Sequence, residues 1–210
     1  MTNREYYEDA RPEMLAFLEQ PPKKCMEFGC SSGGFSALLK EKYGCEVWGA
    51  DIDLPSVGAA KERLDKVFHG DAYEVIRELP DHQFDYLICN DIIEHLYSPE
   101  RFFEEVKRCL TPDAILICSL PNVRHWKTFN RYLFLKDWKY KQSGILDYTH
   151  LRFFTKKSMK RSIRNWGFEI EKIRGIRPTK SPFFYLFCLI TLGFISDMRF
   201  LQYGFRAKLK

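Results

Sequence analysis

Cys25-Met26-Glu27-Phe28-Gly29-Cys30-Ser31-Ser32-Gly33-Gly34-Phe35-Ser36 is the stretch whose reading decides the fold. Its apolar approach ends in an acidic residue, passes through a turn of small residues, and opens into the helical run Phe35–Tyr43. A strand, a tight turn and a helix in that order make a nucleotide-binding corner. Small residues let a ligand approach the backbone, and the helix start offers unpaired N–H groups. Glu27 narrows the choice of ligand: a carboxylate there repels a pyrophosphate and suits a group carrying an ammonium.

Outward from this corner, helix-like and strand-like segments alternate, which predicts an α/β fold with a parallel sheet and crossover helices. Strands are expected at 25–28, 46–50, 66–69, 84–90 and 114–120, and helices at 34–43, 55–65, 72–79 and 99–110. Ser98 is expected to cap the helix that begins at Pro99, and Thr111-Pro112-Asp113 to separate it from the next strand. After Pro121 the rhythm changes. Residues 122–150 mix aromatics (Trp126, Phe129, Tyr132, Phe134, Trp138, Tyr140, Tyr148) with Lys and Arg. A helix at 155–166 and a strand at 168–174 are expected next, with Gly167 as C-cap, and then a strand-like tail at 202–209.

The 210 residues suit one domain with a full core and little room for a second. Its expected parts are a cofactor-binding half (23–121), an acceptor-side insertion (122–155) and a C-terminal part (156–210). Seven cysteines form no CxxC pair, and most lie in apolar runs where a thiol acts as a small hydrophobe; no structural metal is expected. The chain opens on polar, acidic residues rather than on a secretory leader, so a cytoplasmic location is expected. Residues 1–150 hold 19 Lys+Arg against 25 Asp+Glu, and residues 151–210 hold 14 against 3. A basic C-terminal third suits an anionic acceptor, nucleic acid or an anionic membrane surface. The apolar run Pro182–Ile195 is shorter than the roughly 20 residues that span a bilayer. Its continuous hydrophobicity points first to a buried element, with an interfacial membrane contact helped by Lys180, Arg199 and Arg206, or an oligomer interface, as alternatives.

Several motifs together resemble the class I S-adenosylmethionine-dependent methyltransferases over roughly residues 23–175. Glu27-Phe28-Gly29-Cys30-Ser31-Ser32-Gly33 is similar to the family's acidic–x–Gly–x–Gly–x–Gly loop, with Ser31 in place of the central glycine. Asp51-Ile52 resembles the end of the second strand, where the acidic residue takes the ribose hydroxyls and the apolar one packs on adenine. Asp71-Ala72 resembles the third-strand turn that reaches the adenine amino group. Phe84-Asp85 to Asn90-Asp91-Ile92-Ile93-Glu94-His95 resembles the fourth strand and its active-site loop, and Pro121-Asn122 the end of the fifth. The resemblance implies a Rossmann-like doubly wound, mostly parallel seven-stranded sheet with an antiparallel C-terminal strand. It also implies S-adenosylmethionine as cofactor. Spacing alone does not separate this from a dinucleotide fold, since Asp51 lies 22 residues beyond Gly29. Glu27 and Glu94-His95 make the distinction.

Asp147 to Thr155, containing His150-Leu151-Arg152-Phe153-Phe154-Thr155, resembles a segment of methyltransferases associated with bacterial polysaccharide and lipid-linked sugar pathways. That implies O-methylation of a small or glycan-type acceptor. Methyl transfer asks the protein for alignment and exclusion of water, and a hydroxyl acceptor benefits from a base with pKa near 7. His95 and His150 are therefore the catalytic candidates, with Glu94 beside them and Arg152 or Arg124 to hold an anionic group. Asp91-x-x-Glu94-His95 with a later histidine is also similar to the metal-binding arrangement of small-RNA 2′-O-methyltransferases, but the motif is incomplete and an RNA acceptor is not expected. A non-catalytic cofactor-binding subunit is the remaining alternative.

Overall fold

The computed structural model describes residues 10–210. The polar opening at residues 1–9 lies outside the described residues. Seven strands form one sheet in the order β3-β2-β1-β4-β5-β7-β6. They are β1 (Lys24–Phe28), β2 (Glu46–Asp51), β3 (Lys66–His69), β4 (Phe84–Asn90), β5 (Leu110–Pro121), β6 (Phe168–Pro178) and β7 (Phe200–Leu209). Strands β1 to β5 pair in parallel, whereas β7 runs antiparallel to both of its neighbours, β5 and β6. The sequence therefore predicted the fold class and the antiparallel strand correctly.

Helices cover both faces, as a doubly wound sheet requires. One face carries α3 (Ala72–Glu78), α4 (Pro99–Val106) and α6 (Lys156–Asn165), whose Ile76, Phe102, Phe103 and Ile163 pack with Phe28, Leu87 and Leu116. The other carries α1 (Gly34–Tyr43) and the 3-10 turn Pro12–Phe17, through Phe35, Leu39, Met14 and Phe17. The remaining early helix, α2 (Leu54–Lys61), packs through Ala60 near Cys30 and Leu64.

Local chemistry sets the element ends. Asp53 accepts from Ser56 N at 2.9 Å, and Asp71 from Tyr73 N at 2.8 Å, so each caps a helix. Ser98 caps α4, and Thr155 with Ser158 forms a reciprocal capping box on α6. Gly44 ends α1 in the left-handed region at φ 63°. All seven cysteines are free thiols, six of them buried.

Two expectations need correction, and one further helix appears. Thr111-Pro112-Asp113 does not separate elements; it lies inside β5, where the pairing with β4 shifts register between Phe84 and Tyr86. Proline is tolerated there because the irregularity asks no ladder bond of it. The segment after Pro121 contains a helix, α5 (Trp126–Leu135), with no buried residue. Finally, the apolar run at 182–195 is not core. It forms α7 (Pro182–Ile190) and a following turn, seated through Phe184, while Leu192 is 94% and Phe194 83% exposed. The helices already on both sheet faces leave this run no apolar surface to cover. Arg206 points inward instead of towards any membrane, donating to Glu171 at 2.7 Å and to the Phe17 carbonyl and Tyr86 hydroxyl at 3.2 Å. No helix among the described residues is long and apolar enough to cross a membrane.

Candidate active site

The carboxyl ends of β1, β2, β4 and β5 converge where the strand order reverses, the position at which open α/β sheets hold ligands. The loop after β1 turns sharply, with Gly29 at φ 70°, Ser31 at φ 50° and Gly33 at φ 77°. At Gly29 a Cβ would stand 3.2 Å from the Ile92 side chain, so glycine answers both the turn and the close approach.

Two adjoining cavities of about 490 and 290 Å3 share Gly29, Ser31, Asn90, Asp91, Ser143 and Asp147 as walls. The larger is lined further by Phe28, Asp51, Ile52, Asp71, Ala72, His95 and Thr149. The smaller is lined by Arg11, Glu27, Cys30, Glu94, His150 and Gln202. The structure thus brings together all the anticipated site residues except Gly33, Arg152 and Arg124. Gly33 lines neither cavity and acts as the N-cap of α1 against Leu64. Arg152 is the clearer departure. Its guanidinium donates to the Leu96 and Tyr97 carbonyls at 2.6 Å each, so it braces the loop after His95 and is not placed to hold an acceptor. Arg124 is likewise engaged, by Asp197 at 2.8 Å. Asp85 clamps the Lys23 and Lys24 amides at 2.8 Å, away from both cavities.

Asp51 accepts from Ser31 N at 2.7 Å and Asp53 N at 2.9 Å, which fixes its carboxylate at the end of β2. Ile52 beside it is 72% exposed into the larger cavity, an unusual position for isoleucine that a flat apolar ligand would cover. Glu27 is buried, and burial pushes its pKa up to about 7 against the opposing hydrogen bond from Ser36 Oγ at 2.5 Å. Asn90 has both amide atoms buried and without a hydrogen-bond partner, at the junction of the two cavities. Buried polar atoms are hydrogen-bonded in the great majority of cases, so this amide calls for a partner such as ordered water or a ligand.

Asp91 sits at φ 52° and accepts from Ser119 Oγ at 2.9 Å, from Gln202 Nε2 at 2.8 Å and from Arg11. Burial works against the charge of Arg11, yet Asp91 and Glu13 more than offset it and hold its pKa above the ordinary value. Sequence reasoning missed Arg11 and Gln202. Neither lies in a motif, and only chain topology brings them beside Asp91, 80 and 111 residues away respectively.

Glu94 is fully buried with both carboxylate oxygens unpartnered, and burial, reinforced by Asp91, raises its pKa. His150 Nε2 stands 3.9 Å from it, while His150 Nδ1 lies 3.0 Å from the Ile145 carbonyl, which only accepts. The proton of His150 therefore sits on Nδ1. His95 and His150 meet edge to face with centroids 4.6 Å apart. His95 Nδ1 is 3.0 Å from Thr149 Oγ1, whose own hydrogen goes to Asp147 Oδ1 at 2.7 Å. This chain assigns the His95 proton to Nδ1 and leaves Nε2 unprotonated. Burial, then the neighbouring His150, lowers the His95 pKa. Glu94, His95 and His150 bring ligand atoms within 4.8 Å of one another, a set able to hold a divalent cation.

A family model described as a methyltransferase domain matches residues 2–173. The chain belongs to the methyltransferase domain family. The methyltransferase's cofactor is S-adenosylmethionine, and the groups above fit it: carboxylate acceptors at Glu27 and Asp51, an unpartnered amide at Asn90 and an exposed apolar face at Ile52. Among curated proteins it is 34% identical over 119 residues to a probable tocopherol O-methyltransferase of Oryza sativa, covering 50% of this chain and 32% of that protein. It is 27% identical over 109 residues to a ubiquinone biosynthesis O-methyltransferase of Bradyrhizobium diazoefficiens, covering 50% and 42%. A phosphoethanolamine N-methyltransferase of Zea mays is 29% identical over 104 residues, covering 48% and 21%. The matched part thus spans well under half the length of these curated relatives. Among solved structures, a SAM-dependent methyltransferase from Archaeoglobus fulgidus superposes with a TM-score of 0.66 at 20% identity, covering 98% of this chain and 94% of that one. One from Thermotoga maritima gives the same TM-score and identity, covering 98% and 89%. These likenesses show the fold.

Proposed function

We propose that this methyltransferase O-methylates a small or glycan-type acceptor, with His95 as the base. The observation that carries the reading is the Asp147–Thr149–His95 hydrogen-bond chain, which leaves His95 Nε2 unprotonated at the cavity wall. Bound S-adenosylmethionine supplies a methyl group already activated as a sulfonium. Asp51 accepts from vicinal ribose hydroxyls, Asp71 accepts from the adenine amino group, and Ile52 covers the ring. Phe28, Gly29, Cys30, Ser31 and Ala72 shape the walls around the cofactor. Glu27 and Asp91 oppose the positive charge at the methionine end, and Asn90 completes its amide hydrogen bonds there. His95 Nε2 would take the proton of the acceptor hydroxyl as the methyl group passes from sulfur to that oxygen, the sulfur–methyl bond breaking to leave neutral S-adenosylhomocysteine. His150 packs against His95 and fixes its ring plane, while burial, reinforced by Asp91, disfavours a further negative charge on Glu94 at the floor of the smaller cavity.

Residues 23–121 are then the cofactor-binding half, 122–155 the acceptor side and 156–210 the closing part of one domain. The glycan-type acceptor is supported by Tyr140 and Tyr148, exposed rings able to stack on a sugar. Titration calorimetry on the purified chain tests the cofactor half: S-adenosylhomocysteine is expected to bind, and an absence of heat at millimolar ligand would sink it. His95→Ala with retained binding and lost methyl transfer tests the base. A second reading adds a divalent cation on Glu94, His95 and His150, favoured by their convergence within 4.8 Å. Chelation followed by restored turnover with Mg²⁺ or Mn²⁺ would support it, and turnover unaffected by chelator would remove it.

A further inference from the structure

Two helices outside the cofactor site carry apolar side chains into solvent. In α5, Phe134 is 70% and Leu135 69% exposed; in α7, Phe183 is 76% and Leu189 72% exposed. Trp126 joins the two helices, its ring 5.5 Å from Phe184 and 5.8 Å from Phe187. Exposed apolar side chains gathered on two joined helices mark an interaction site.

The charges around it select the partner. Residues 181–196 contain no charged side chain, and residues 122–141 hold six Lys or Arg against the single Asp137. Lys180 and Arg199 flank α7, with the Arg199 guanidinium 5.5 Å from the Tyr185 ring centroid. Apolar residues outward with cations at the margin is the pattern of a helix lying in a bilayer interface, its rings in the acyl boundary and its cations at anionic headgroups. At nine residues α7 is too short to span.

The α5 side of this surface is also continuous with the candidate site. Ring contacts run from Tyr132 on α5 to Trp138 (5.9 Å), Phe153 (5.3 Å), His150 (6.3 Å) and His95 (4.6 Å). An amphiphilic acceptor leaving the bilayer would therefore meet an unbroken aromatic wall as far as the base.

We propose that the α5–α7 face docks on an anionic lipid bilayer and that the acceptor is an amphiphile drawn from it. The docking stands on this surface alone, and the acceptor class rests on the O-methylation reading above. The test is sedimentation of the full chain with phosphatidylcholine vesicles, with and without phosphatidylglycerol, alongside calorimetry with S-adenosylhomocysteine and light scattering. Retention on the phosphatidylglycerol vesicles is expected, weakened by salt. It should fall about tenfold or more in F183D/L189D with S-adenosylhomocysteine affinity unchanged. K136E/K139E should weaken retention on phosphatidylglycerol vesicles alone, which guards against a folding defect in the first variant. No retention of the unmodified chain, or a dimer that F183D/L189D converts to monomer without any vesicle binding, would overturn the docking. Retention without S-adenosylhomocysteine binding would leave the docking standing and remove the methyl-transfer reading.

Discussion

The strands of residues 24–121 and the helices α5 and α7 treat apolar side chains in opposite ways. In β4, six of seven residues are buried, and the last eight of β5 are buried without exception. In α5 none is buried, and in α7 only Phe184. The first region spends its hydrophobicity on its own core, so the groups at its strand ends are held by a rigid scaffold. The second leaves much of its hydrophobicity exposed, and it is the side to which our proposal assigns the acceptor. On that proposal, a cofactor common to many enzymes is bound by the rigid part, and the partner particular to this enzyme meets the part that packing alone does not complete.

The sharpest way to break that division is to separate turnover from cofactor affinity. His95→Ala should lower kcat by about 10²–10⁴-fold, the usual contribution of a general base, while S-adenosylhomocysteine affinity changes by less than about twofold. A comparable fall in affinity would place His95 in the cofactor half. Thr149→Val removes the acceptor of the His95 Nδ1 proton and should lower kcat by about tenfold through the wrong tautomer, again with affinity retained. Asp51→Ala should act the other way. Losing a charged partner of two ribose hydroxyls should weaken S-adenosylhomocysteine binding by about ten- to a hundredfold. If kcat at saturating cofactor fell with it, the two regions would not be separable.

The same division explains what could be read from the sequence. Phe84–Asn90 and Gly34–Tyr43 are visible residue for residue, because hydrophobic run, small-residue turn and capping all agree locally. The site residues from Glu27 to His95 follow, since each stands at a strand end fixed by that pattern. Arg152 illustrates the limit: the motif that singled out His150 and Arg152 together says nothing of the carbonyls that occupy the Arg152 guanidinium. Arg11 and Gln202 reach Asp91 only through the folded topology. For 182–195, continuous hydrophobicity is the same in a core helix and in one that faces outward. Only the occupancy of the sheet faces decides between them.

A smaller effect tests the electrostatics of the cofactor half. Burial raises the Glu27 pKa from 4.5 to about 7 in the unliganded chain. With the folded value above the unfolded one, Glu27 contributes stability that is fully present below 4.5 and lost as pH rises through about 7. A cationic ligand beside it favours the carboxylate, so binding should expel a proton below about pH 7 and tighten as pH rises towards that value. Calorimetric heats in buffers of different ionisation enthalpy should diverge below about pH 7 and converge above it. Glu27→Gln should abolish the divergence; heats that vary equally in the variant would move the titrating group elsewhere.

The smallest effect belongs to Arg124, on the acceptor side. Its ion pair with Asp197 is partly solvent-exposed, and such pairs contribute about 0–1 kcal/mol. Arg124→Ala should therefore lower Tm by no more than a few degrees, by the usual conversion of about 1 kcal/mol for a domain of this size. It should also leave KM for the acceptor within about twofold, because the guanidinium faces Asp197 and not the cavities. A KM raised tenfold or more would mean that acceptor binding releases Arg124 from Asp197. The acceptor side would then reorganise around its substrate, while the cofactor half it rests on stays fixed.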